Sequence, residues 1–524
     1  MKKLIAILFT MHCALFVSVA QTLNVKAGSV TYQFPASQTG EMTYANGETV
    51  TVMGKTFALS DISSMTVDNS EVTDNLVSVE YDSSAAAVFV AGNVAQYVDV
   101  SVSGAHVTIA QTNTDAVDGD EITCQLSGTT ADGSLTLGGS YKCTVSLAGL
   151  TMTNPGGAAI NITNGKRIQI SAKNGTVNTL TDGANGAQKA CIYSKGQIQL
   201  QGKGTLNVAG NTKHAIKSGD YISVKNLTLN VTKAVGDGIS CNEYFQMKSG
   251  TVSISGVGDD GIQCDLDGTM STGETADHED EDSGNIYLEG GTLSVTVTAA
   301  AAKGIKAAGD MTVSGGSITA TSSKHEAIET KGTLTITDGT VYALSSSDDA
   351  INSASHMYLQ GGTVTGVSNG NDGIDTNGNM YISGGTIVAC GARDPECGLD
   401  AAERYALYIT GGTVLGIGGG NNTVTSTTGS QCVLSTSSST YSAGTAVAIK
   451  NGSAVLASFT IPTGYSPSSS GGFRAPGGPG GGGYGGSGFS FLLSCPGLTS
   501  GSSYTVTIGS SSATCKAATS YSGR

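Results

Sequence analysis

Seven isoleucines, Ile216, Ile239, Ile262, Ile305, Ile328, Ile351 and Ile374, are spaced 23, 23, 43, 23, 23 and 23 residues apart. Each follows a Gly or Ala, which itself follows Asp, Glu, His or Lys. The long step is one period plus an acidic insertion. Leu399 continues the series 25 residues on, and Ile192 and Ile160 extend it backwards by 24 and 32. A fixed period of this length marks a solenoid, in which each repeat contacts its neighbours and equivalent residues pile into columns.

The filling between ladder positions is Thr/Val/Ile runs punctuated by Gly, Asn and Ser, which reads as all-β. A second marker, Gly followed by Thr or Ser, recurs in register at Gly250, Gly291, Gly316, Gly339, Gly362, Gly385 and Gly412. Each coil therefore holds two or three short strands. About 23 residues are too few for a helix-pair repeat, and the Leu/Asn signature of leucine-rich repeats is missing. The 75 glycines follow no Gly-X-Y period, which excludes collagen. The expected fold is a parallel β-helix of about ten coils over residues 113–435. A small β region at 21–112 lacks the period. Residues 436–524 read as a C-terminal β segment with a Gly/Ser/Pro-rich stretch at 465–489.

Met1 to Ala20 has the basic start, apolar middle and small-residue end of a secretory signal, with cleavage expected near Ala20. The mature chain is expected outside the cytoplasm, in the periplasm, outside the cell or at its surface, as a monomer. No segment is long and apolar enough to span a membrane. Losing Lys2 and Lys3 takes the formal charge from −15 to −17, which disfavours nucleic acid and makes binding of acidic polymers dependent on cations. Cys124/Cys143, Cys390/Cys397 and Cys495/Cys515 are candidate disulfides in an oxidising compartment. Cys241 and Cys264, one period apart, are expected to stack inside the core as thiols or as a disulfide.

Aligned on the ladder, the position two before the apolar residue reads His214, Asp237, Asp260, Lys303, Glu326, Asp349, Asp372, Cys397. The position three before adds Asp259, His325 and Asp348, and the position one after adds Lys217, Lys306, Glu329, Asp375 and Asp400. With coils about 4.8 Å apart, such files of carboxylates repel unless protonated or bridged by a cation. Calcium, which takes hard oxygen ligands, is the expected cofactor. One cluster would use Asp237, Asp259 and Asp260, and a second Glu326, Asp348, Asp349, Asp372 and Asp375. The competing reading is a solvated acidic edge. The insertion at 265–284 reads as a disordered acidic loop or a metal-binding loop. Lys303 and Lys306 interrupt the acids and would either grip a sugar carboxylate or neutralise their neighbours. On another face Tyr358, Tyr381 and Tyr408 would stack as an exposed strip able to hold sugar rings.

The phrases Gly258-Asp259-Asp260-Gly261-Ile262, Lys303-Gly304-Ile305-Lys306, Asp348-Asp349-Ala350-Ile351-Asn352 and Asn371-Asp372-Gly373-Ile374-Asp375 carry a resemblance. As a set, the chain resembles the bacterial secreted β-helix family of carbohydrate-binding domain-containing proteins, which bind polygalacturonate. The resemblance implies a right-handed parallel β-helix like that of pectate lyases, bound calcium and recognition of acidic polysaccharides. The leading expectation is a calcium-dependent, non-catalytic binder of uronic-acid polysaccharides. One alternative is a polysaccharide lyase with Lys303 or Lys306 as base beside calcium. Another is a surface adhesin or spacer that calcium only stiffens.

Overall fold

The computed structural model describes residues 21–266, 283–467 and 488–523. The expected signal segment, most of the acidic insertion and most of the 465–489 stretch lie outside them. Strands recur three to a coil. Ile351–Ser353, Met357–Leu359 and Thr363–Ser368 are followed one period on by Ile374–Thr376, Met380–Ile382 and Thr386–Cys390. Each pairs in parallel with its counterpart: Ile351 on Ile374, Tyr358 on Tyr381, Thr363 on Thr386. The ladder strands form a 12-stranded sheet, and the other faces merge into a 29-stranded one. The molecule is a β-solenoid of about 12 turns. Among the described residues the one helical element is a 3-10 turn at Ala95–Tyr97.

The ladder isoleucines stack into the core, and Ile216, Ile239, Ile262 and Ile305 are fully buried. The small residue before each ladder position has a steric cause. A Cβ on Gly261 would lie 2.2 Å from Val295 Cγ1 and 2.5 Å from Gly304 O, and one on Gly238 would lie 2.6 Å from Ile254 Cγ2. This position faces the opposite wall of a narrow tube, where Ala327 and Ala350 are also fully buried. The repeated Gly-Thr pair has a different cause. Gly362 and Gly385 turn the chain at φ 71° and 78°, a region open to glycine.

The stack does not begin at residue 113. Ala105–Gln111 runs parallel to Gly133–Gly138, and Leu76–Ser83 pairs in parallel with Ile122–Thr130. Leu23, Val25, Val77 and Ile109 share one core with the coils. At the far end Phe489–Ser494 inserts antiparallel between Thr413–Gly418 and Val433–Ser438. A four-stranded antiparallel sheet follows, and together they bury Val388, Leu415 and Ile417 in a second core. The open strand edge is thereby covered.

All ten described cysteines are buried free thiols, so none of the three expected pairs is bonded. Cys124 and Cys143 sit with sulfurs 3.9 Å apart. Cys241 and Cys264 pair in register on adjacent coils and fill the core as thiols. No helix of the described residues is long and apolar enough to cross a membrane.

Candidate functional site

The acid-bearing corner is shaped from inside by a column of serines. Ser322, Ser345 and Ser368 are fully buried and one period apart. Ser345 Oγ donates to His325 O (2.8 Å) and accepts from Asp348 N (3.0 Å). Ser368 Oγ donates to Asp348 O (2.6 Å) and accepts from Asn371 N (2.8 Å). Each serine ties two coils together under the carboxylates they carry. The sequence reading passed over this column, although its 23-residue spacing was visible.

The first predicted cluster comes together. Ligand atoms of Asp237, Asp259 and Asp260 lie within 4.8 Å of one another. Asp237 is 2% exposed, and its Oδ1 has no hydrogen-bond partner. Its Oδ2 lies 3.1 Å from His214 Nδ1. Burial pushes the Asp260 carboxyl up to about 6, against the pull of the Lys303 amide and Lys306.

The second predicted cluster divides. Glu326 and Asp348 converge with His325, while Asp372 converges with Cys397 and Asp400. His325, Cys397 and Asp400 occupy ladder columns but were not among the expected ligands. Asp349 and Asp375 lie between the two groups, joined through Asn352, whose Nδ2 donates to Asp349 Oδ2 (3.0 Å) and Asp375 Oδ2 (2.7 Å). Asp349 Oδ1 accepts from Asp372 N (3.1 Å). No lysine or arginine among the described residues pairs with Asp349, Asp372 or Asp375. Burial, reinforced by neighbouring carboxylates, pushes Asp372 up to about 8 and Asp375 up to about 7, and lifts Asp349 well above the carboxylate range.

The two lysines inside the acidic file are engaged. Lys303 Nζ lies 2.6 Å from Glu329 Oε2 and 3.2 Å from Glu326 Oε2, and Lys306 Nζ lies 3.4 Å from Asp260 Oδ2. Burial works against the Lys303 charge, but its bonds to Glu329 and Glu326 outweigh that and raise its pKa. Glu329 is correspondingly lowered: burial opposes this, and Lys303 and Lys331 prevail.

Around the next corner Tyr358, Tyr381 and Tyr408 stack as expected. Ring centroids are 5.0 and 5.1 Å apart with planes 5° and 12° from parallel. Both flat faces of Tyr381 are thus covered, so the strip presents ring edges and hydroxyls along its length. Asn379 Nδ2 donates to Tyr381 Oη (2.9 Å) and fixes that ring.

A parallel solenoid with files of carboxylates along one face and a tyrosine strip on another defines a β-helical protein. A family profile described as carbohydrate-binding domain-containing protein matches residues 103–373, just over half the chain, and the chain belongs to that family. A carbohydrate-binding domain-containing protein of Acetivibrio thermocellus is 29% identical over 108 residues, 19% of this chain and 38% of that protein. The chain thus spans well under half the length of that relative. The solved structure of a polysaccharide lyase-like protein from C. thermocellum, a gadolinium derivative, overlaps 55% of this chain and 93% of its own. That overlap has 19% identity and a TM-score of 0.36.

Proposed function

We propose that this carbohydrate-binding protein recognises acidic, uronic-acid polysaccharides through calcium held on the carboxylate face. One observation carries the reading. Asp349 and Asp372 stack in one column with Asp375 beside them, all largely buried and with no basic partner among the described residues. Buried carboxylates left so must protonate or share a cation. The donor set is all oxygen around Asp237, Asp259 and Asp260, which fits a hard divalent ion. At the far end Cys397 adds a sulfur to Asp372 and Asp400, a poorer match for calcium. The ion would leave coordination positions for a sugar carboxylate and so join two anionic partners.

The lyase alternative needs a neutral lysine. Lys303 is bonded to two glutamates that favour its charged form, which counts against the first base suggested by the sequence. The test is to incubate the purified chain with polygalacturonate, with calcium and with chelator. Retention that calcium strengthens, without unsaturated product absorbing in the ultraviolet, supports the reading. Product formation would establish the lyase, and equal retention in chelator would remove calcium from the site.

A further inference from the structure

Total charge conceals a polarity along the solenoid. Residues 160–250 carry ten lysines and one arginine against three aspartates and one glutamate, a net +7 in a chain of net −15. Residues 251–435 carry 15 aspartates and eight glutamates against four lysines and two arginines, a net −17. Along the sequence, basic coils therefore run directly into an acidic segment.

On that face the basic side chains follow the same columns as the acids. His214 N donates to Lys189 O (2.9 Å), which sets Lys213 beside Lys189 on the next coil, in the column that later holds Asp259, His325 and Asp348. Lys217 stands between Tyr193 and Ser240 in the outward column. Lys233 bonds Asn211 Oδ1 (2.6 Å) at the same corner. Lys189, Lys213 and Lys233 are exposed and Lys217 is half-buried. None of the four makes an ion pair with a carboxylate among the described residues, unlike Lys303 and Lys306. A second row, Lys173, Lys203, Lys225 and Lys248, ends or follows the second strand of its coils, on a different corner.

We infer that Lys189, Lys213, Lys217 and Lys233 form a cation-independent subsite that grips carboxylates of an acidic polysaccharide directly. The inference rests on the acidic-polysaccharide reading above and deepens it, since one glycan chain lying along the axis would meet lysines first and metal-bridged carboxylates next. Lys189 and Lys213 stand in one column on adjacent coils, about 4.8 Å apart along the axis, and with Lys217 and Lys233 beside them they suit a polymer that carries several anions. Four weak pairs at or near the surface act together only when the ligand is multivalent. An acidic glycan is favoured over duplex nucleic acid, because the four lysines lie within residues 103–373, which match a carbohydrate-binding family.

The test uses the full chain on immobilised polygalacturonate, measured with calcium and with chelator. Three forms are compared: the natural chain, a ladder-face set (Lys189→Gln, Lys213→Gln, Lys217→Gln, Lys233→Gln) and an opposite-corner set (Lys173→Gln, Lys203→Gln, Lys225→Gln, Lys248→Gln). In chelator the natural chain should keep weak, salt-sensitive binding. The ladder-face set should lose it, roughly tenfold or more, while the opposite-corner set, with the same charge change, keeps it. Circular dichroism melts check that both sets fold, and neutralising single lysines replaces a set that does not. Equal losses in both sets would reduce the effect to net charge and overturn the inference. Absence of chelator-resistant binding would overturn it while leaving any calcium-dependent binding, and hence the proposed function, standing. Equal retention on duplex DNA through the ladder-face set would overturn the choice of ligand. So would low-salt self-association that the same set abolishes without any glycan binding.

Discussion

Asp372 shows how much one side chain can report about the bound state. Its carboxyl is buried, accepts the Cys397 amide and faces Asp375 and Asp400, and it is pushed up to about 8. Asp375 follows at about 7 and Asp260 at about 6. All three are raised above an unfolded value near 3.8. The folded state thus holds protons that the unfolded state has released. Their stabilising contribution is complete below about pH 4 and is lost as pH rises through 6 to 8. In chelator the melting temperature should therefore fall between pH 5 and pH 8, and calcium should remove most of that fall. Asp372→Asn keeps the shape and deletes the charge. It should raise the metal-free melting temperature at pH 8, leave it nearly unchanged at pH 5, and shrink the gain on adding calcium. A melting temperature in chelator that rises with pH over this range would show that these carboxylates are solvated and need no ion.

At the scale of the coil, the corner is a compromise between a narrow tube and an acid-bearing turn. Among the glycines that precede a ladder residue Gly261 is the tightest, with Val295 Cγ1 placed 2.2 Å from where a Cβ would stand. Gly261→Ala should cost roughly 1–3 kcal/mol in denaturant unfolding. Because Asp260 is its neighbour, calcium stabilisation at the first cluster should weaken with it. Ser345→Ala leaves the Asp348 amide and the His325 carbonyl without their shared, fully buried hydroxyl, and roughly 1–2 kcal/mol should be lost. An unfolding midpoint unchanged by either substitution would mean that the corner is free to relax. The ladder, the strand register and the tyrosine stack were all legible in the sequence, because they follow from a fixed period. Ligand grouping was not. Which acids converge depends on how sharply the chain bends before each ladder residue, and that bend is set by serines and glycines rather than by the acids. His325, Cys397 and Asp400 were visible only as column members. The N-terminal turns were hidden for a related reason: strands such as Thr22–Ala27 and Leu76–Ser83 join the stack without repeating at 23 residues.

For the whole molecule, stability in a solenoid approximates a sum of coil terms and nearest-neighbour contacts, so a ligand stiffens the coils it bridges and their immediate neighbours. The charge polarity makes this separable. Calcium on the carboxylate face should slow amide exchange around Ile239–Cys241 and Ile262–Cys264 and from Ile328–Thr330 to Ile374–Thr376. It should leave Ile168–Ala172 and Ile198–Gly202, in the basic coils, at their metal-free rates. An acidic glycan added on top of calcium should extend protection to Ala190–Ser194, where the lysine columns begin. The covered C-terminal edge should respond to neither, because Phe489–Ser494 is already paired on both sides. A uniform slowing along all coils would instead indicate that calcium acts through general charge screening. Exchange unchanged in the acidic coils would leave their buried carboxylates protonated rather than bridged.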